Sequence, residues 1–405
     1  MSFDVAAIRA QFPILSRTVH GKTLAYLDSA ASAQKPEAVI EAMSAAMRGS
    51  YANVHRGLHT LANETTQAYE DARAAAARFV NAPSPDQIVF TKGATQAINI
   101  VAAGIGATIQ PGDEIILSVM EHHSNIVPWH FLRERKGAIL RWLDVDEDGG
   151  IDLAAFEALL SPRTRMVALT HLSNVLGVAT PAAEIVRIAH GRGVPVLLDG
   201  CQAVVHQPVD LQAIGADFYV FSAHKLYGPT GIGVLYGRAE ALAALPPFEG
   251  GGEMIDRVSQ DAITYNTPPH RFEAGTPPIL EAIGLGAAIT WLEGIDRTAA
   301  AAHERALTAQ VMERLRALNW VRLYGVAGEK SGIVAFNVEG AHPHDVAQVL
   351  DRYGVAIRAG HHCAQPLMTR LGAAATARAS MGIYTDQSDI DAFIEALAKA
   401  RKLLS

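Results

Sequence analysis

Residues 218–237 read FYVFSAHKLYGPTGIGVLYG, and this stretch decides the fold. The run 218–221 is apolar and β-prone, which predicts a strand buried on both faces. It ends in Ser222, Ala223, His224 and Lys225, and a glycine-rich turn and a second short apolar run follow. A lysine at the end of a core strand is withdrawn from water, which disfavours its charged form. Such a lysine can form a Schiff base with a carbonyl. A lysine taken alone is more often an exposed loop residue, so the polar groups at the ends of the other strands have to decide.

Working outward, apolar runs at 88–90, 114–117, 166–169 and 194–198 read as further strands. Each is followed by a polar cluster: TKGAT at 91–95, EHHSN at 121–125, THLSN at 170–174 and DGCQ at 199–202. Strands alternating with helical segments predict a mostly parallel sheet covered on both faces. Ligands of such sheets bind beyond the carboxyl ends of the strands, where every one of these clusters lies. Before the sheet, the first 25 residues predict a short helix, with Val5, Ile8 and Phe12 on one side, and an arm. A helix from Pro36, a polar glycine-broken loop (NVHRGLH, 53–59) and an alanine-rich helix over 63–79 follow. From about residue 281 the texture changes. A helical region runs to 318, then come short strands at 321–323 and 333–336, a helix over 344–353, the loop RAGHHC at 358–363 and a closing amphipathic helix. The expected organisation is an N-terminal arm (1–25) packing with the small domain, a large α/β domain (26–285) and a small α+β domain (286–405) carrying the cysteine loop.

Composition narrows the functions. The chain has 405 residues, 49% of them apolar, and a formal charge of −7. That predicts a globular protein with a large core and no basic footprint for nucleic acid. MSFDVAAIRAQF lacks the basic and apolar regions of a signal peptide, and the most apolar window, 282–292, is too short to span a bilayer, so no membrane association is expected and a cytoplasmic location is. Two cysteines, Cys201 and Cys363, make no disulfide framework.

The strand-end clusters carry chemistry together that none carries singly. Gly93-Ala94-Thr95 opens a helix after a strand, a ready anion site as well as an ordinary helix cap. Asp199 ends a strand with Gln202 close by. A carboxylate there keeps a pyridinium nitrogen protonated, as the electron-sink chemistry of pyridoxal phosphate (PLP) needs, or is simply structural. His122 can stack on a flat ring and move protons, and Ser222 and His224 flank Lys225. An anion site, an acid and a lysine in this chain order fit a PLP enzyme. Cys363 lies beside His361, His362 and Arg358, whose positive charge would favour thiolate. A metal site is a poorer reading, because neighbouring residues seldom bind one ion and no second ligand cluster is suitably spaced. Cys201, just past an apolar strand, reads as core. Arg378 can clamp a carboxylate or be a surface arginine. The run DVDEDG at 144–149 imitates an EF-hand start, but Ala155 occupies the position that needs a bidentate Glu, so a strand-to-helix turn is expected.

These residues sit in longer motifs: LDSAASAQKP (27–36), VHRG (54–57), EHH (121–123), NIVPW (125–129), SAHKLYGP (222–229), RFEAGT (271–276) and RAGHHCAQP (358–366). With them the chain resembles, over nearly its whole length, the SufS-type (group II) cysteine desulfurases of the class V aminotransferase group of PLP enzymes. The IscS/NifS group carries its cysteine on a longer, different loop. The resemblance implies PLP fold-type I: a large domain with a mostly parallel seven-stranded sheet, plus a small α+β C-terminal domain. It implies a cytoplasmic homodimer of the SUF system that converts L-cysteine to L-alanine. The sulfur is left as a persulfide on Cys363 and passed to a SufE-like or SufU-like acceptor for iron–sulfur cluster assembly.

Residue roles follow from the same resemblance. Lys225 holds PLP and shuttles the proton, and His122 stacks on the ring and assists. Asp199 pairs with the ring nitrogen and Gln202 with the ring hydroxyl. Asn174 contacts cofactor and substrate. Thr95, Ser222 and His224 hold the phosphate, with Thr276 reaching it from the partner subunit. Arg378 binds the substrate carboxylate, and His55, Arg56, Arg358 and His361 line the mouth of the site. Two departures stand out. Ala94 replaces a second phosphate-binding threonine, leaving its backbone N–H to serve, and Ala223 replaces a glycine. Selenocysteine lyase or cysteine sulfinate desulfinase activity would use the same scaffold and need Cys363 less. A sulfur carrier without cofactor would not need Lys225, Asp199 and His122 intact.

Overall fold

Seven strands build the central sheet: β1 (Ile88–Thr91), β2 (Glu114–Ser118), β3 (Ile139–Leu143), β4 (Thr164–Thr170), β5 (Val196–Asp199), β6 (Phe218–Ser222) and β7 (Gly233–Gly237). The structure, a computed structural model, describes residues 3–326 and 330–404; residues 1, 2, 327–329 and 405, which belong to the expected arm and small domain, lie outside the described residues. The strand order is β1-β7-β6-β5-β4-β2-β3. Every pairing is parallel except those of β7, which runs antiparallel to β1 and β6. The glycine-rich turn after Lys225 is too short for a crossover helix, so the second apolar run can only return antiparallel. Within this sheet β3 is the strand that the sequence does not announce. It lies at the edge, with Ile139 and Trp142 exposed and Arg141 interrupting the apolar run.

Apart from β3, the strands are buried on both faces, as continuous apolar runs require. Phe90, Val167, Leu169, Leu198, Tyr219 and Phe221 face one side, and Val89, Met166, Ala168, Leu197, Phe218 and Val220 the other. Helices α1 (Glu37–Gly49) and α2 (Thr60–Phe79) pack against α4 (Ile279–Glu293), while α3 (Ala94–Gly106) follows β1 and packs on β6 and β7. Arg73 of α2 is buried and grips Glu273 through two bonds of 2.6 and 2.9 Å. Glu273 also accepts the Phe90 N–H at 2.7 Å, so one carboxylate ties α2, β1 and the segment leading to α4.

Beyond α4 the chain forms a four-stranded antiparallel sheet, ordered β8-β9-β11-β10, from β8 (Val321–Tyr324), β9 (Ile333–Val338), β10 (Arg358–Gly360) and β11 (Thr376–Ser380). Helices α5 (Arg297–Arg316) and α6 (Gln387–Leu404) cover it with a core of its own, which includes Leu315, Phe336, Ile390 and Phe393. Residue 285, the expected domain boundary, falls inside α4, and α4 packs on large-domain helices; we place the break instead at Gly294–Asp296, between α4 and α5. The N-terminal arm touches both units. Arg9 binds Asp389 of α6 at 2.7 and 3.1 Å, whereas Phe12 packs edge-on against Tyr227, Trp291 and Tyr384. The 144–149 run is a turn, in which Asp146 Oδ1 accepts the N–H groups of Asp148 and Gly150.

Candidate active site

The carboxyl ends of β1, β4, β5 and β6 open into a cleft of about 260 Å³. Register explains the convergence: Thr170 is paired with Asp199, and Gly233 is paired with Ser222 on one side and Thr91 on the other. The cleft walls include Thr95, His122, Asn174, Asp199, Gln202, Ser222, His224 and Lys225 from the large domain, and Arg358, His362, Cys363 and Arg378 from the small one. Lys225, three residues past β6 in a short 3-10 turn, is half-buried.

One end of the cleft suits an anion. Helix α3 starts at Ala94, with Gly93 before it at φ 152°. No side chain caps this start, and Ala97 donates the first intrahelical bond, to Gly93. The amides before it point their N–H groups outward with the dipole behind them. Ala94 is a correction. Its N–H is committed to Ser222 Oγ at 2.9 Å, so the free donors here are the amides of Thr95 and Gln96, not that of Ala94. Gly233 lets this corner exist: a Cβ on it would lie 2.5 Å from Gly93 Cα and 2.7 Å from Phe221 O.

The other end suits a flat, polar ring. Gln202 is 2% exposed and donates to Ala30 O at 2.8 Å, while its Oε1 has no partner. Buried polar atoms are rarely left so. Asp199 is buried and accepts the Cys201 N–H at 3.0 Å. His122 Nδ1 accepts the Ser124 N–H at 3.1 Å, which puts the proton of the neutral ring on Nε2. Burial, then the charge of Lys225, push His122 down to about 4, so it is uncharged near neutrality. His224 is likewise pushed down to about 4, by burial and then by Lys225 and Lys35. An unpartnered buried amide, an open helix start, an acid and a lysine fit a phosphorylated pyridine such as PLP. Cys201 also lines the cleft, but burial pushes its thiol up to about 12, which keeps it neutral.

The facing wall comes from β10, β11 and the loop after β10. Arg358 and Arg378 are cross-strand partners, a like-charge pair that destabilises unless compensated. Asp28 compensates, at 3.3 Å from each guanidinium. Arg378 is 2% exposed, donates to Asn174 O at 2.8 Å and keeps its Nε unpartnered. Burial lowers it to about 10, opposed by Asp28, so it stays a cation at neutral pH. A buried, partly unpaired guanidinium is a carboxylate receptor. Cys363 is exposed at the mouth, and both it and His362 hold left-handed backbones, φ 56° and 52°. Two successive non-glycine residues in that region mark a strained, over-determined loop.

Not every expected residue reaches the cleft. His361 is exposed and outside its wall; the left-handed turn points the adjacent His362 inward instead, 7% exposed, with Nε2 on Thr376 O at 3.0 Å. His55 is held by Glu70 at 3.0 Å and Arg56 by Glu253 at 2.6 Å, and neither lines the cleft of its own chain. Thr276 is exposed and also lies outside it. Asp28 and His362 were missed. Asp28 stands inside a recognised motif and could have been found as the one acid near two arginines, but only the β10–β11 register brings those arginines together. Among the described residues, no group of three or more His, Cys, Asp or Glu could hold a metal ion. No helix among them is long and apolar enough to cross a membrane.

The chain is similar to known proteins over nearly its whole length. The aminotransferase class-V family matches residues 25–393. A cysteine desulfurase of Klebsiella pneumoniae (strain 342) is 51% identical over 406 residues, covering 100% of both chains. The crystal structure of the Escherichia coli cysteine desulfurase CsdA, in an S-sulfonic acid form, superposes with a TM-score of 0.93 at 42% identity, covering 100% of each chain. A C-DES variant with glycine covalently linked to its PLP cofactor superposes with a TM-score of 0.83 at 25% identity, over 96% of this chain and 98% of that one.

Proposed function

The chain belongs to the aminotransferase class-V family, and we infer that within it the protein is a PLP-dependent cysteine desulfurase. It takes L-cysteine, releases L-alanine and keeps the sulfur as a persulfide on Cys363. The observation that carries the reading is the meeting of Lys225 and Cys363, from different domains, in one cleft.

PLP, when bound, supplies an electron sink for carbanion chemistry at the substrate. The chain does the rest. Lys225 holds the cofactor through its amine and returns a proton to the substrate carbon. Asp199 would keep the ring nitrogen protonated, and the unpartnered Gln202 Oε1 would be free to meet the ring hydroxyl. His122, uncharged near neutrality, would lie against the ring and could take up or give back a proton at Nε2. Thr95, Ser222, His224 and the start of α3 hold the phosphate. Arg378 clamps the substrate carboxylate, and Asn174, whose side chain donates to His362 O at 2.7 Å, connects that clamp to the cysteine loop. Cys363, as thiolate, attacks the substrate sulfur. The new S–S bond forms as the C–S bond breaks, and the electron pair remains with the carbon, which a proton then converts to alanine.

The persulfide passes to a SufE-like or SufU-like acceptor and feeds iron–sulfur cluster assembly as part of a SUF system in the cytoplasm. The enzyme acts as a homodimer in which Thr276 completes the partner's phosphate site and His55 and Arg56 flank its entrance. Their exposure and their distance from their own cleft support this. Selenocysteine lyase or sulfinate desulfinase chemistry is the less favoured reading.

One experiment tests the assignment. Wild type and C363A are given L-cysteine radiolabelled on sulfur and a SufE-like acceptor, while alanine, labelled protein and the cofactor band are followed, and a reductant is added only after the label has been read. Wild type should make alanine, with label on Cys363 and then on the acceptor. C363A should keep the yellow band and lose at least about a hundredfold of the alanine rate, as removal of a nucleophile does. Turnover of C363A at the wild-type rate would reassign the protein to the lyase or desulfinase chemistry.

A further inference from the structure

Cys363 is bracketed on its C-terminal side by a single residue. The His123 N–H donates to Cys363 O at 2.6 Å, and the Gln365 N–H donates to His123 Nε2 at 3.2 Å. His123 is the immediate neighbour of His122, so the residue that follows the ring-stacking position also grips the chain on both sides of Ala364. On the N-terminal side, Asn174 Nδ2 holds His362 O and the His362 ring is anchored on Thr376. Between these grips the backbone of His362 and Cys363 is left-handed, a conformation that persists only where surroundings impose it.

We propose that His123 is a positioning residue for the nucleophile, its Nε2 acting as the acceptor that keeps the Cys363 loop docked over the cleft. The bond requires a lone pair on Nε2, so the neutral ring carries its proton on Nδ1, the opposite tautomer to His122. Two adjacent histidines thus divide the work: one faces the cofactor site, and the other registers the cysteine loop against it. The charged or titratable groups near the His123 ring are His122, 6.4 Å away between centroids, and His361, and burial and His361 both lower its pKa. The neutral acceptor form is therefore the one present at neutral pH.

This inference rests on the desulfurase reading, and the test separates the two. H123L keeps bulk without an acceptor, whereas H123Q places an amide oxygen within reach of the Gln365 N–H. The backbone bond to Cys363 O survives in both. Holoenzymes are compared for kcat and KM with L-cysteine, cofactor absorbance, and the rate of Cys363 alkylation by iodoacetamide in the absence of substrate. H123L should lose about fivefold in kcat, the size of one ordinary hydrogen bond, with KM within about twofold. Its Cys363 should alkylate about threefold or more faster, because the loop is released. H123Q should stay within about twofold of wild type on every measure. If H123L matches wild type in kcat and alkylation, or if H123Q with a normal cofactor band falls about fivefold or more, the proposal is wrong, and the second outcome holds whether or not H123L folds. A wild-type enzyme that releases no alanine would instead overturn the desulfurase reading itself.

Discussion

Glu121 is fully buried beside His122, and no cation among the described residues pairs with it. Ser118 Oγ and Asn125 Nδ2 contact its carboxyl oxygens at 2.6 and 2.7 Å, but burial dominates and pushes it up to about 7. The sign follows directly. In the unfolded chain the group loses its proton near the ordinary glutamate value of 4.5, and in the folded chain only near 7. Between those values the native state binds more protons, so stability falls as pH rises. E121Q removes the titration while keeping an amide that can serve both neighbours. Urea melts of wild type and E121Q between pH 4.5 and 8 should show a shallower decline for the variant and equal or greater stability at pH 8. Identical slopes would mean that Glu121 is ionised in the fold throughout. At this scale much of the site was legible. Lys225, Asp199, His122 and Cys363 are polar residues placed where an apolar strand stops or a glycine-containing loop begins. Asp28 and His362 were not, because each owes its place to a partner distant in sequence.

At the scale of the element, the corner made by β1, β7 and α3 depends on close backbone approach. Gly233 faces backbone atoms of Gly93 and Phe221 that cannot move aside as a side-chain tip can. G233A should cost about 1–3 kcal/mol in unfolding free energy, the usual size of overpacking. It should also weaken PLP retention, because the strain lands on the helix start proposed to hold the phosphate. Denaturant midpoints and a PLP titration of the apoenzyme, read from the visible band, measure both. An unchanged midpoint together with unchanged affinity would show that the corner relaxes without loss. The same corner explains how β7 could be foreseen. Ten residues separate the ends of β6 and β7, and a segment that short has one way to return. β3 carried no comparable signal, since an edge strand with an arginine at its centre reads as a loop.

Over the whole molecule, the cleft draws on two domains, and the arm ties them through Arg9–Asp389 and Phe12. Thr276, His55 and Arg56 lie outside the cleft of their own chain, and the exposed hairpin at 255–265 presents Val258, Ile263 and Tyr265 to solvent. In the proposed homodimer Thr276, His55 and Arg56 would serve the partner's site. Sedimentation should give twice the 43.1 kDa chain mass. T276V should lower PLP affinity by about tenfold to a hundredfold, the size of one lost hydrogen bond to a charged group. A monomer that binds PLP as tightly as its T276V variant would refute the shared site.

The sequence by itself determined the parallel sheet, the strand ends that carry polar clusters, and the lysine and cysteine motifs. These are local: apolar runs, turn residues and short fixed spacings are written in neighbouring positions. Only the tertiary structure decided that Arg358 and Arg378 face each other across β10 and β11 and need Asp28, that His362 rather than His361 turns inward, that Ala94 spends its N–H on Ser222, and that α4 stays whole across the expected boundary. Each of those depends on register, on a left-handed turn or on packing between segments far apart in the chain, and no periodicity within one segment encodes which distant partner it will meet.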